Sequence, residues 1–425
     1  MKKRHLPLAI LATAALGLSA CSAGDSGTGG DGETLNVWIM QGTNTDSDDF
    51  FDRAGDAFTE RTGATLNVEM VQWADAHDRF VTAIAGGTTP DVAETGTTWT
   101  AEFAEAGALA PIGDYVADSG LDGKLVEGLV EPGKLDDTLY GMPWYAGVRS
   151  MVYRTDIFEA AGIAVPTTWD QFRQAVLTLK ASNPDIIPFP VAGDAEYLTY
   201  PWVWGAGGEV ATKSGDTWTS GLDTPEARTG IQFYTDLALK DGSSTTGATT
   251  WKETDILDNF AQGKVGMAMM GSWTPATIIE KNPELEGKIG SFAVPGQKEG
   301  ISPSMLGGSH LAMFESSKNK DLAWEFMDLM TTGDFATEWA TQSGYFPGET
   351  SALDATVADA DDITQAFAEQ MVEAGAYLPV TPKFGAVQAK KTTNTMIQSI
   401  LSGEKSVDQA TADAAAEMTQ ILNEK

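Results

Sequence analysis

The segments Leu35-Asn36-Val37-Trp38-Ile39-Met40, Phe50-Phe51-Asp52-Arg53-Ala54-Gly55-Asp56-Ala57-Phe58 and Leu66-Asn67-Val68-Glu69-Met70, in that order, decide the fold. Leu35, Val37 and Ile39 recur at every second position, the period of a β-strand. Phe50, Phe51, Ala54 and Phe58 share one face of a helix over 46–61, which Gly63 ends. Leu66, Val68 and Met70 return to the period of two. A helix over 75–85 stops at Gly86-Gly87, Pro90-Asp91-Val92-Ala93-Glu94 leads into a third strand, and a helix follows near 100–106. Such alternation predicts a parallel α/β sheet, in which ligands bind beyond the carboxyl ends of the strands. The loops to watch therefore carry Gln41, Trp73 and the run from Glu94 to Trp99.

The pattern continues downstream. Residues 140–154 read as a long strand, 156–161 as a short helix, and Thr168-Trp169-Asp170-Gln171 opens a helix to about 181. An apolar strand is expected at 187–191, and Trp202 and Trp204 alternate as if on another. Helices follow at 224–240 and 252–262, then a strand at 265–270 that ends in Gly271-Ser272-Trp273. A strand at 306–314 precedes helices at 320–330 and 333–342, and Val407, Ala410, Thr411, Ala414, Met418 and Ile421 mark a final amphipathic helix.

At 425 residues and 42% hydrophobic, the chain is long enough for two lobes, each with its own core. Its 60 acidic residues against 27 basic ones, a net charge of -33, exclude nucleic acid as a partner and disfavour a highly anionic ligand. Lys2, Lys3 and Arg4 precede an apolar run, Leu6 to Leu18, of about 13 residues, too short to span a bilayer and typical of a signal peptide. Leu18-Ser19-Ala20-Cys21 resembles a bacterial lipobox, so 1–20 is expected to be removed and Cys21 to carry lipid, with 21–33 a flexible spacer. The alternative is a secretory leader in which Cys21 is incidental. Since Cys21 is the one cysteine, no intramolecular disulfide and no catalytic thiol are available.

Several stretches together resemble the extracellular solute-binding protein family that serves ATP-driven (ABC) sugar importers, the maltodextrin-binding group. They are Pro90-Asp91-Val92 through Thr95, Trp99 and Phe103-Ala104-Glu105-Ala106-Gly107-Ala108-Leu109; Leu139-Tyr140-Gly141-Met142-Pro143-Trp144-Tyr145 with Tyr153 and Phe158-Glu159-Ala160-Ala161-Gly162-Ile163; Pro166-Thr167-Thr168-Trp169-Asp170; and Gly263 to Trp273. The resemblance implies a two-lobe periplasmic-binding-protein-like fold (type II), with mixed α/β sheets flanked by helices and a ligand cleft between the lobes. It implies one lobe of 34–145 plus 300–347 and another of 146–299 plus 348–425. It also implies a monomer, lipid-anchored on the extracellular face of the bacterial cytoplasmic membrane, that hands a di- or oligosaccharide to the permease subunits of an ABC transporter.

The residues suit that ligand. A sugar ring has two apolar C–H faces and an equator of hydroxyls, so its site needs flat aromatic faces edged by amides, carboxylates and guanidinium groups. The 12 Trp are an excess. Trp73, Trp99, Trp144, Tyr145, Tyr197, Tyr200, Trp202, Trp273, Tyr345 and Phe384 fall in loops or at element ends, and the resemblance places stacking contacts near Tyr200-Pro201-Trp202, Trp273 and Phe384. Polar contacts are expected from Gln41, Glu94, Thr95, Arg149, Asp194, Glu196, Ser309 and His310, with Gly307 and Gly308 letting backbone approach the ligand. Core packing is the expectation for Trp169, Trp324 and Trp339, and a hinge salt bridge is the alternative for Arg149.

Gly307-Gly308-Ser309-His310-Leu311 resembles a nucleophile elbow but lacks its final glycine and the strand-to-helix context. No phosphate-loop motif is present, and after the leader only His77 and His310 remain, so neither cofactor nor metal is expected. Two rivals stay open: a lipid-anchored glycoside hydrolase, which needs two carboxyls about 5–9 Å apart across the cleft, and a receptor for a non-sugar such as a polyamine.

Overall fold

The computed structural model describes residues 33–44, 47–358 and 360–424; the leader, Cys21 and the spacer up to residue 32 lie outside the described residues. Seven principal strands are β1 (Thr34–Gln41), β2 (Thr65–Gln72), β3 (Val92–Gly96), β4 (Gly141–Arg154), β5 (Met267–Gly271), β6 (Ile289–Phe292) and β7 (Ser304–Met313). The alternation in β1 sorts its side chains onto two faces. Leu35, Val37 and Ile39 pack with Phe50, Ala54 and Phe58 of the helix Ser47–Thr62, while Trp38 and Met40 pack on the other side with Phe80 and Phe103.

β1 pairs in parallel with β2 and β3, as the sequence predicts. Beyond β3 the sheet turns antiparallel: β7 lies between β3 and β4, and β4 also pairs with β5 and β6. The sheet is therefore mixed rather than wholly parallel. β4 and β7 are the long strands, and each runs through two cores. On β4, Met142, Trp144 and Tyr145 belong to one core, and Ala146, Val148, Met151 and Val152 to the other. On β7, Leu311 and Met313 lie in the first and Met305 and Leu306 in the second. The register of β4 against β7 shifts between Ser309 and His310, where Trp144 is the extra residue. That bulge bends the strands at the passage between cores.

Two expected strands do not form. Residues 187–191 make a single bridge, Ile187 to Val265, because Pro188 and Pro190 remove the N–H groups a ladder needs. Tyr200–Gly205 is a helix, with Pro201 in the first turn, where its fixed φ favours helix and its missing N–H costs nothing. Trp169, Trp324 and Trp339 are buried.

Candidate functional site

Where the paired strands β4 and β7 pass from one core to the other, a cavity of about 460 Å³ opens, lined from both sides of the bulge. The turn after β3 supplies Gly96, Thr97, Thr98 and Trp99; β4 supplies Tyr145, Gly147 and Arg149; β7 supplies Met305, Gly307, Gly308 and Ser309. Trp73, Tyr197, Trp273, Tyr345 and Gln388 complete the wall. Its volume falls in the range of about 300–1,000 Å³ usual for small-molecule sites.

Aromatic rings form two platforms. Trp273, in the turn after β5, lies on Tyr345 with ring centroids 4.9 Å apart and planes 14° apart. Trp73 and Trp99 meet at 5.6 Å and 57°. The first platform needs bare backbone beneath it: a Cβ on Gly147 would stand 2.7 Å from Tyr345 and 2.8 Å from Trp273. A Cβ on Gly308 would stand 2.0 Å from the Tyr145 carbonyl oxygen, so only glycine lets β7 lie this close against β4 there.

Arg149 is the one cation on the wall among the described residues. Its guanidinium lies over the rings of Tyr197, at 4.5 Å, and Trp273, at 5.4 Å. It donates to both oxygens of Glu253, Nε at 2.8 Å and Nη2 at 3.0 Å. Burial opposes its charge, yet the Glu253 carboxylate holds its pKa above the ordinary value. Gln388 donates to Glu196 and to the Tyr197 hydroxyl, each at 2.8 Å. Burial, helped by nearby Glu196, pushes the Tyr197 phenol up to about 12.

Ten residues singled out in the sequence meet in this wall: Trp73, Trp99, Tyr145, Arg149, Tyr197, Trp273, Gly307, Gly308, Ser309 and Tyr345. Ten do not line it. Trp144 is fully buried and stacks on Trp339 at 4.7 Å, because neighbours on a strand face opposite ways and Tyr145 takes the cleft side. Trp202 is buried among Trp169, Phe172 and Tyr234, and Phe384 is buried in the same core. Tyr200 is buried with its hydroxyl on Thr393 and Glu196. His310 packs behind the wall, its Nδ1 2.8 Å from the Thr100 hydroxyl and its Nε2 2.8 Å from the Leu129 carbonyl oxygen, and burial lowers its pKa to about 4. Thr95 is buried against Thr100. Glu94 is buried beneath Tyr145 and Ser309. Asp194 accepts from Lys391 and Asn394, and Glu196, whose pKa burial raises, stands one hydrogen bond behind Gln388. Gln41 sits at the exposed end of β1, bonded to Gln72.

The sequence reading missed Gln388, Gly147 and Met305. Gln388 lies on the helix Phe384–Lys390 that Phe384 had flagged, one turn further on. Gly147 could have been suspected from its place in an otherwise apolar strand, since such a glycine often marks a close approach.

The chain matches the model of the bacterial extracellular solute-binding protein family over residues 42–336 and belongs to that family. It is 31% identical over 428 residues to the diacetylchitobiose binding protein DasA of Streptomyces coelicolor, with 96% of each chain covered. It is 32% identical over 380 residues to a putative binding protein of Brucella abortus, covering 88% of this chain and 90% of that one. A solute-binding protein of Thermotoga lettingae, solved with α-D-tagatose, superposes with a TM-score of 0.78 at 28% identity, over 92% of this chain and all of the other. The sugar-binding protein MalE of Xanthomonas citri gives 0.81 at 22% identity, over 92% and 97% of the two chains. The fold is thus the two-lobe one of periplasmic binding proteins.

Proposed function

We propose that this protein captures a di- or short oligosaccharide in the cleft along the paired strands β4 and β7 and delivers it to an ABC import permease. One observation carries the reading: the wall offers six aromatic rings, one guanidinium and one amide, and among the described residues no Asp or Glu lines it. Rings suit the C–H faces of pyranoses, and Arg149, Gln388, Ser309, Thr97 and Thr98 suit their hydroxyls. A polyamine would find Arg149 on the wall and, among the described residues, no wall carboxylate to pair with its own cations. A glycoside hydrolase would need two carboxyls facing the ligand. The relatives named for diacetylchitobiose, maltotriose and multiple sugars support the same class. No catalysis is proposed.

We infer that closure accompanies binding, with lobes of 34–145 plus 300–347 and 146–299 plus 348–425. The change of core between Tyr145 and Ala146 supports the first boundary, and the change of core along β7, between Leu306 and Leu311, supports a second passage between lobes close to the start of that strand. A ligand favours the closed form only by touching both lobes there. The lipid anchor at Cys21 and the extracellular placement it implies rest on the leader and the Leu18-Ser19-Ala20-Cys21 motif.

The test is a thermal-shift screen against di- and oligosaccharides, polyamines and amino acids. A ligand at about 100 times its Kd adds about 2.7 kcal/mol. A melting shift confined to particular sugars, recovered intact, supports the reading. A shift only with polyamines, or a cleaved sugar, overturns it.

A further inference from the structure

Glu94 is fully buried in β3, and no cation pairs with it among the described residues. Its Oε2 accepts the backbone N–H of Met40 at 2.7 Å. Its Oε1 faces two hydroxyls together, Ser309 Oγ at 2.6 Å and the Tyr145 phenol. Those two hydroxyl oxygens are themselves 2.9 Å apart. The three oxygens form a triangle whose every edge is of hydrogen-bond length, and each edge needs a proton of its own. Ser309 and Tyr145 bring one proton each. If the carboxyl is ionised, one edge has no proton whichever way the two are arranged, and two oxygens face each other through lone pairs in a place water does not reach. A protonated carboxyl supplies the third proton and closes the ring.

We propose that Glu94 is held as a neutral carboxylic acid and that its proton positions Tyr145 and Ser309, the two cleft residues it bonds. Glu94 is a positioning residue and touches no ligand. The ring joins β3 to both crossing strands at the bulge between Ser309 and His310, so the same proton braces the passage between the two cores. Burial without a counter-charge pushes the carboxyl up to about 7, in line with the proton count. The ionisable groups around it do not supply that charge. Tyr145 faces it from β4 and Tyr345 from the segment before Phe346, both as neutral phenols raised by burial. His310, next to Ser309 on β7, turns its ring to Thr100 and Leu129 and is neutral. Arg149, on the cleft wall, is engaged by Glu253. Neighbouring β1 presents apolar side chains and the Met40 N–H. Raising the pH through about 7 therefore opens the ring at its Ser309–Tyr145 edge, because both hydroxyls then donate to the carboxylate and no proton is left between them. The effect on ligand affinity rests on the cleft being the sugar site; the protonation does not.

The experiment separates the two. Infrared difference spectra of the ligand-free protein against Glu94→Gln, taken from about pH 5 to about pH 9, bracket the titration. They should show a protonated-carboxyl carbonyl band in the natural protein that disappears in a single step and is missing from the variant. Selective carbon-13 labelling of glutamate carboxyls in Glu196→Gln, which removes the other glutamate that burial raises, reads the same titration with Glu94 in place, so a Glu94 variant that misfolds does not remove the test. A Glu94 already ionised at the acid end overturns the proposal. For a sugar identified by the thermal screen, affinity in the natural protein should fall about three- to tenfold across the step, the value of one hydrogen bond, and should be flat in Glu94→Gln. An affinity that is flat in both overturns the positioning role while leaving the proton in place. Failure of every sugar to bind overturns the function proposed above and leaves the infrared result standing.

Discussion

Trp273 lies flat on Tyr345, ring centroids 4.9 Å apart, and the pair forms one wall of the cleft over the bare backbone of Gly147. The two residues reach the site from different segments, a turn after β5 and the short link between the helix Gly333–Ser343 and Phe346. Each ring keeps the other from rotating, so the outer face of the pair is a prepared surface for a pyranose. Trp273→Ala should weaken sugar binding by about tenfold, roughly 1.4 kcal/mol, and Trp273→Phe by less. Isothermal calorimetry on the folded variants checks this, and an unchanged Kd would show that the ligand lies elsewhere.

Gly147→Ala tests the same wall from beneath. Its added Cβ would fall inside contact distance of both rings, so the platform must shift while the rest of β4 stays paired. Affinity should drop by about tenfold or more, with a far-ultraviolet spectrum like that of the natural protein. Full affinity in the variant would mean that the stacked pair is not part of the binding surface.

Arg149 acts through shape as well as charge. A lysine cannot make the two-pronged bond to Glu253 and lie flat against Tyr197 together. Arg149→Lys should therefore lose affinity by about tenfold. Glu253→Gln should destabilise the fold by about 1–3 kcal/mol, toward the lower end because the Glu253 side chain is 27% exposed. Denaturant titration of each variant separates the two effects.

Glu94 and His310 give stability opposite dependences on pH. Glu94 has an ordinary pKa of 4.5 and about 7 when folded, so between those values the folded chain holds a proton that the unfolded chain has released. Its contribution is complete below 4.5 and is lost as pH rises through 7. His310 moves from 6.5 down to about 4, so its contribution is complete above 6.5 and is lost as pH falls through 4. The slopes oppose each other where the windows overlap. Between 6.5 and about 7 only the Glu94 slope of this pair remains; unfolding free energies there should fall with pH more steeply in the natural protein than in Glu94→Gln, and the difference should level off once Glu94 is ionised in the folded chain as well. Parallel curves for the two proteins would exclude a titrating Glu94.

What the sequence determined by itself is local or statistical. The period of two in Leu35, Val37 and Ile39 and the helical face of Phe50, Ala54 and Phe58 follow from backbone geometry alone, and they form as expected. The order of the motifs placed the chain in its family, and an excess of Trp marked an aromatic cleft. Which ring faces that cleft was decided by tertiary structure. Trp144 and Tyr145 are neighbours, and alternation says only that they point opposite ways; the bulge against Ser309 and His310 sends the indole to Trp339 and the phenol to the cleft. Pro201 turned an apparent strand into a helix and carried Trp202 into the core. Glu94 looked like a ligand contact because it sits at the right strand end. Only the packing of β1, β4 and β7 around it put the carboxyl one layer behind, where its partners are two hydroxyls and a backbone N–H. Side-chain direction at a strand crossing depends on register between segments far apart in the chain, and no local pattern carries that information.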